Sequence, residues 1–215
     1  MAQDGFESGR KDAILRAAEV VFAERSYEAA SIRTIAAAAG VNPALVGYYF
    51  GSKADLYREI FTRRYRDITE DRLRLLAAVE IVPGRRETVA AILAAWFGPF
   101  VARLDSAGSR NFVRLLAREA VEPSSHDRDI VATYLDPSAR QCMQALATAL
   151  PSAPPQAIAW GYQFCIAVML SCVTGARRAN VLAGTDEAGR AKLADMVAYA
   201  TAGLLAIAGG ADRQS

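Results

Sequence analysis

Lysine is almost missing from this chain of 215 residues: Lys11, Lys53 and Lys192 are the only three, and arginine supplies the remaining positive charge. With so much alanine beside it, that choice reads as GC-rich codon usage and carries no function. The formal net charge is only +2, so overall electrostatics neither demand nor exclude a polyanionic partner. There is a single histidine, His126, in a polar stretch expected to be an exposed loop. H-E-x-x-H, P-loop and Rossmann glycine patterns are all absent, which argues against an enzyme and leaves no catalytic set, metal site or cofactor to expect. The three cysteines, Cys142, Cys165 and Cys172, lie in apolar stretches without C-x-x-C spacing. An odd number so placed argues for reduced core thiols and a cytoplasmic protein. Residues 1–10 carry Asp4 and Glu7 and no apolar run, so they do not form a secretory signal; 1–9 reads as a short disordered arm. Runs of alternating β-branched residues between hairpin turns are also lacking, which excludes most β architectures.

What the chain has is apolar residues, 53% of the total against 22% charged, enough for a substantial core. They recur with helical spacing, so the fold class is all-α. Ile14, Leu15, Ala18, Val21 and Phe22 share one helix face, and Ile32, Ile35, Ala36 and Ala39 repeat the spacing in a shorter element. A long charged helix is expected from about Lys53 to Val82, ended by Pro83-Gly84; at ~1.5 Å per residue it would span roughly 45 Å. Further helices are predicted over about 86–104, 110–121, 128–150, 155–181 and 188–207. Pro99 should kink the first of these and Pro137 should kink or split the third. The loops between them fall at 105–109, 122–127, 151–154 and 184–187. The division that follows is an arm (1–9), a small helical domain (10–54), a connecting helix (55–83), a larger helical domain (84–208) and a frayed tail (209–215).

Residues 31–53 read SIRTIAAAAGVNPALVGYYFGSK. Ser31 can cap a helix by accepting from an orphan N–H. Ile32, Ile35 and Ala36 turn inward, and the run Ala36–Ala39 keeps the surface small enough for a second helix to cross closely. Gly40 sits where the chain must turn sharply, in a conformation glycine adopts freely. Val41 plugs the turn. Asn42 caps the next helix and Pro43 suits its first position. Val46, Tyr49 and Phe50 anchor that helix, leaving Pro43, Ala44, Leu45, Gly47 and Tyr48 on its outer face. Ser52 and Asp55 form a capping-box pair that starts the long helix. Two short helices joined by a glycine turn and braced by a preceding helix make a helix-turn-helix.

This stretch, and YYFGSKADLY at its end above all, resembles the TetR family of transcriptional regulators, by motif over roughly 10–60 and by layout over the whole length. The resemblance implies a DNA-binding regulator, a repressor released by a small apolar effector. It implies that Ser31 and Arg33 face phosphate. Asn42, Pro43, Ala44, Leu45, Gly47 and Tyr48 would form the recognition helix and its cap, and Tyr48 and Lys53 would grip the backbone. Two positions depart from the family: Pro43 stands where a basic residue is common, and Gly47 where an aromatic is common. The reading face is therefore small and apolar, with Ala44 and Leu45 available to thymine methyls and sequence reading shifted toward phosphate placement and DNA shape. Arg10, Lys11 and Arg16 either add phosphate contacts or form a solvated face.

The resemblance further implies that the chain from about 84 on binds the effector and dimerises. Aromatic and apolar side chains on several helices, Trp96, Phe97, Phe100, Phe112, Leu116, Tyr134 and Phe164, are its candidate lining, against a reading of each as plain core. Arg118 or Glu119 would be a polar handle, or else surface or ion-paired. No charge occurs between Arg140 and Arg177, and 155–176 is long enough to span a bilayer. Gln156, Gln163, Ser171 and Thr174 interrupt it, and an intermolecular four-helix bundle from 155–181 and 188–207 of two subunits, eased by Gly161, Ala167, Ala200 and Gly203, explains it better. The expected partners are thus a double-stranded DNA operator, a small-molecule effector and a second copy of the chain, without a membrane. The competing readings are a helical enzyme or carrier and a membrane-anchored regulator.

Overall fold

The computed structural model describes residues 2–104, 107–121, 128–174, 176–185 and 192–210. Its elements are ten α-helices: α1 Ala2–Glu24, α2 Ile32–Ala39, α3 Pro43–Phe50, α4 Lys53–Ala77, α5 Arg86–Val101, α6 Ala107–Val121, α7 Asp136–Ala149, α8 Pro155–Thr174, α9 Ala176–Ala183 and α10 Leu193–Gly210. No strand occurs among the described residues. His126 and the loop 122–127 lie outside them, as do the side chain of Cys172 and residues 211–215 of the expected tail.

The chain divides into two compact units, Met1–Asp67 with Asp105–Tyr134, and Ile68–Leu104 with Leu135–Ser215. The continuous helix α4 contributes to both. This differs from a boundary at 84, because α6 belongs to the first unit and packs on α1. Its Phe112 ring meets Phe61 of α4 at 5.5 Å, and Val113, Leu115 and Leu116 are buried. The core of this unit is the predicted face of α1 (Ile14, Leu15, Ala18, Val21, Phe22) closed by Ile35, Val46, Leu56 and Ile60.

Several element boundaries depart from the sequence reading. Residues 2–9, expected as an arm, continue α1; they contain no proline, and Gly5 and Gly9 are their weakest helix formers. The long helix stops at Ala77 rather than Val82. There Ala78 and Val79 N–H donate to the carbonyls of Leu75 and Leu76, the tight i→i+3 closure of a helix end. The following Val79, Ile81 and Val82 are β-branched and fit extended backbone better. Gly84, at φ 77°, donates its N–H to the Ala149 carbonyl at 2.8 Å and so fastens this connection to the end of α7. The predicted 128–150 helix is split: a π-helical stretch, Val131–Leu135, precedes α7, and Pro137 lies in the first turn of α7, where its missing N–H costs nothing. The expected 155–181 helix is likewise two helices, α8 and α9, with Gly175 between them in the sequence.

In the second unit α10 packs on α5 and α8, and α7 on the same two helices. Trp96, Phe97, Phe100, Ile92 and Leu93 of α5 are fully buried. Pro99 stands inside α5 and cannot donate to the carbonyl four residues before it. Two arginines serve carbonyls around this interruption. Arg72 Nε donates to Trp96 O and Arg103 Nη1 to Pro99 O, each at 2.8 Å. The Arg72 guanidinium, 2% exposed, also lies 4.4 Å from the Trp96 ring centre. Cys142 and Cys165 are buried and free. Burial pushes their thiols up to about 12 and about 11, so both stay protonated and unreactive at neutral pH.

Two helices of this unit come very close at Gly161, where a Cβ would stand 2.0 Å from Leu204 Cδ1. Leu204 is 1% exposed and has little room to yield. Gly161→Val is expected to destabilise the protein by about 1–3 kcal/mol through overpacking. Denaturant unfolding measures this, and an unchanged midpoint would refute the α8–α10 contact.

Candidate nucleic-acid interface

The site begins with two helix caps. Ser31, with extended backbone, accepts from Thr34 N–H at 3.1 Å and starts α2. Asn42 Oδ1 accepts from Ala44 N–H at 2.9 Å and starts α3, with Pro43 in its first turn. Between them Gly40 adopts φ 66°, ψ 33°, and Val41 N–H reaches back to Ala36 O at 3.0 Å, so the turn ends α2 with its last carbonyls satisfied. Ile35 and Ala36 are fully buried. The capping box at α4 is reciprocal: Ser52 N–H donates to Asp55 Oδ2 at 3.2 Å, and Asp55 N–H to Ser52 Oγ at 3.1 Å. The Ser52 hydroxyl, then its N–H, hold the Asp55 carboxyl below the usual carboxylate range.

These caps fix which face of α3 looks outward. Val46 and Phe50 are buried, while Pro43, Ala44, Gly47 and Tyr48 are exposed, Tyr48 at 76%. Leu45 and Tyr49 are half-buried, so Tyr49 is only partly core and Leu45 only partly presented. The Tyr48 ring meets Tyr49 edge-on at 5.3 Å. Ser31 and Arg33 are exposed in the first turn of α2. Seven of the nine predicted residues, Ser31, Arg33, Asn42, Pro43, Ala44, Gly47 and Tyr48, are exposed on α2, α3 or their caps. Lys11, a candidate phosphate contact, sits 5.4 Å from the Phe50 ring centre, while Arg10 and Arg16 are exposed.

Lys53, expected at the DNA backbone, also makes contacts within its own unit. Its Nζ donates to Tyr27 O at 2.9 Å and Ala30 O at 3.1 Å, and lies 4.3 Å from the Tyr27 ring centre. It ties the start of α4 to the turn that precedes α2. Behind that turn lies a cluster that no sequence spacing announces. Glu119, fully buried, accepts from Arg128 Nη2 at 3.0 Å and from Tyr57 OH at 2.9 Å. Arg128 Nη1 also donates to Glu28 at 3.0 Å, and its guanidinium lies 5.0 Å from the Tyr27 ring centre. Glu119 is thus ion-paired and buried rather than a surface group. Its partners lie 9 and 62 residues away, which is why periodicity does not find them.

The candidate effector residues divide between the units. Trp96, Phe97 and Phe100 are buried core of the second. Phe112, Leu116 and Tyr134 belong to the first, where Tyr134 lies 6.3 Å from Phe61 and accepts from Thr62 Oγ1 at 3.0 Å. Phe164 faces outward, 52% exposed and stacked on Trp160 at 5.7 Å. Two cavities in the first unit, of about 280 and 590 Å³, are lined by none of the seven.

Two capped helices crossing at a glycine turn, with an exposed aromatic on the second, define a helix-turn-helix DNA-binding protein. Residues 14–60 match the model of the bacterial regulatory proteins of the tetR family, and residues 94–203 match that of the tetracyclin repressor-like C-terminal domain. The chain belongs to the tetR family of bacterial regulatory proteins; it is a DNA-binding transcriptional regulator and not an enzyme. Solved structures agree in fold. HlyIIR, a hemolysin II transcriptional regulator, superposes with a TM-score of 0.61 at 20% identity, covering 90% of this chain and 97% of that one. FadR from Bacillus subtilis, in complex with stearoyl-CoA, gives 0.59 at 18% identity over 92% and 97%. PfmR from Thermus thermophilus gives 0.58 at 18% over 91% and 97%. A search of curated protein sequences finds no match. Among the described residues no helix is long and apolar enough to cross a membrane.

Tyr48 and Lys53 should separate in experiment. Tyr48→Ala removes an exposed ring and is expected to leave thermal stability within about 0.5 kcal/mol while weakening binding to any DNA. Lys53→Ala leaves two carbonyls without their donor and should cost about 1–3 kcal/mol of stability as well. Thermal melts beside gel shifts distinguish them; a Lys53→Ala protein as stable as wild type would return Lys53 to a purely DNA-facing role.

Proposed function

We propose that this regulator is a repressor that binds a two-fold-symmetric, double-stranded DNA operator as a homodimer and leaves it when a small apolar effector binds. The observation that carries the DNA reading is the exposed face of α3 beside the capped start of α2. Ser31, Arg33 and the α2 N-terminus meet phosphate, since helix N-termini favour anions and arginine adds a charge. Tyr48 lies against the sugar-phosphate backbone and Ala44 against thymine methyls, with Leu45 contributing only its exposed edge. Asn42 and Pro43 set the entry of the helix, and Gly47 lets the groove wall come close. The side chains of α3 itself include no amide or guanidinium to read base edges bidentately, so specificity leans on DNA shape and on the spacing of two copies.

Dimerisation is supported by apolar side chains left in solvent. Trp160 and Phe164 on α8, Val181 and Leu182 on α9 and Tyr199 on α10 are each at least half exposed. Paired with the same helices of a second copy, they would form the core of an intermolecular bundle. The bundle is then built from α8, α9 and α10 rather than from two unbroken helices. The effector reading keeps Trp96, Phe97 and Phe100 as its apolar wall and releases Phe112 and Leu116 to the core of the first unit, half-buried Tyr134 to its contact with Phe61 and Thr62, and Phe164 to the dimer. The stearoyl-CoA bound to FadR in the same fold supports an apolar ligand. The effector acts by binding one state of the dimer more tightly than the other, and α4, shared by both units, is the covalent path between them. A regulator of this kind works in the cytoplasm, where its DNA lies.

Selection of bound duplexes from a random library tests the proposal directly. Enrichment of a site with two-fold symmetry is expected, and enrichment of nothing beyond non-specific affinity at physiological salt would overturn it. On that site Arg33→Ala should lower the slope of log K against log salt by about one, the value for one lost phosphate contact. Trp160→Glu should give monomers in sedimentation, and a Trp160→Glu dimer would place the interface elsewhere.

A further inference from the structure

The DNA-reading unit holds a cavity that the regulator's proposed cycle does not use. Its volume is about 280 Å³, and Tyr27, Glu28, Ala54, Tyr57, Arg58, Arg128 and Ile130 line it. Its construction is that of an acid site with a substitute acid in place. Arg128 is 8% exposed and is held from behind by Glu119, whose two oxygens receive Nε and Nη2 at 3.0–3.2 Å. A guanidinium gripped in this way presents its remaining edge at a fixed angle, already desolvated and oriented for a carboxylate. That edge, Nη1, is bonded to Glu28 at 3.0 Å.

The two carboxylates on Arg128 are unequal. Glu119 has a side chain of 0% exposure, whereas that of Glu28 is 54% exposed, on the turn before α2. Glu28 is the carboxylate that can turn out to water, whereas the Arg128 side chain is only 9% exposed, so Nη1 needs another anion in its place. The charged groups facing the cavity are Arg128, Arg58 and Glu28, with Asp55 taking one side of Arg58 at 3.0 Å. With Glu28 swung out, Nη1 of Arg128 is the cationic edge left facing the cavity, while Glu119 and Asp55 balance the charges of Arg128 and Arg58. Tyr27 and Tyr57, with rings edge to face at 5.0 Å, and Ile130 supply apolar edges beside the Arg128 guanidinium. The volume lies at the lower bound of ligand pockets and admits one ring with its acid group.

We propose that this cavity is a second ligand site, which takes a small organic acid with a planar apolar body, its carboxylate replacing Glu28 on Arg128. Binding releases Glu28, and with it the 25–31 turn that Lys53 and Arg128 hold against α4. The ligand thereby loosens the start of α2 from within the DNA-binding unit. This site does not rest on the effector reading and stands or falls separately from it.

Benzoate is the probe, with benzamide as its neutral counterpart, followed by ligand-observed NMR titration of the full-length protein. Wild type should bind benzoate and bind benzamide at least about ten-fold more weakly, because a charge-assisted pair with Arg128 is lost. Glu28→Gln removes the internal competitor and, being exposed, leaves the fold intact. It should tighten benzoate about two- to five-fold, the factor by which a resident weak ion pair reduces the competent population. Ala54→Phe fills the cavity and should abolish binding. Benzoate bound equally by wild type and Glu28→Gln, or retained by Ala54→Phe, would be binding elsewhere and would overturn the proposal, as would no binding by the wild type up to about 10 mM, the reach of millimolar affinity.

Discussion

One ammonium group fastens the start of α4 to the turn before α2. Lys53 stands just after the turn that ends the helix-turn-helix, and its Nζ holds the carbonyls of Tyr27 and Ala30, in the turn that leads to the Ser31 cap. The short helices α2 and α3 have eight residues each, too few to be stable alone. Their direction is therefore set by what fastens their ends, namely caps at Ser31, Asn42 and Ser52, the left-handed Gly40, and this lysine. In a chain with only three lysines, a compact ammonium suits the position, because two carbonyls and a ring face converge on it within 4.3 Å.

A second layer of polar contacts supports the first. Glu119 and Arg128 are both nearly removed from solvent, and burying such a pair costs several kcal/mol before its attraction is counted. The pair is tolerable because its hydrogen-bonding capacity is used: Tyr57 donates to the carboxylate, and the guanidinium has Glu28 and two tyrosine rings beside it. What such a pair provides over an apolar one is direction. A guanidinium fork admits one orientation of α6 against the turn at 25–31, where a leucine pair would admit several.

The parts of this structure that were legible in the sequence are those whose causes are local. The caps at Ser31 and Asn42, the Gly40 turn, the capping box at Ser52 and Asp55, and the buried face of α1 each rest on residues close together in the chain. The split at Pro137 is of the same kind. Boundaries set by tertiary contacts were not legible. Nothing near Val79 says that Gly84 will be bonded to Ala149, and nothing in α6 says that it joins the first unit. Contacts at long range in the sequence around the candidate site were hidden for the same reason. Lys53 has the composition of a phosphate contact, but its partners are 23 and 26 residues earlier. Phe164 has the composition of a pocket wall, but only the packed structure shows it facing solvent. The Glu119–Arg128 pair had no sequence signature at all.

A recognition face of proline, alanine, glycine and tyrosine changes where specificity must come from. Each bidentate base contact is worth about 1–3 kcal/mol of discrimination, and α3 has no side chain able to make one. On the proposed reading, selectivity would come from geometry: the depth to which a small face enters the groove, the path of the backbone against Tyr48 and the start of α2, and the distance between two copies. Geometric readout tolerates little slack, because a helix that rocks samples many grooves equally well. The buried polar contacts around the turn before α2 suit a face with few base-reading groups. Lys53, Tyr27, Arg128 and Glu119 hold rigid what side chains on α3 do not specify chemically. Any ligand or substitution that loosens them acts on sequence recognition without touching DNA.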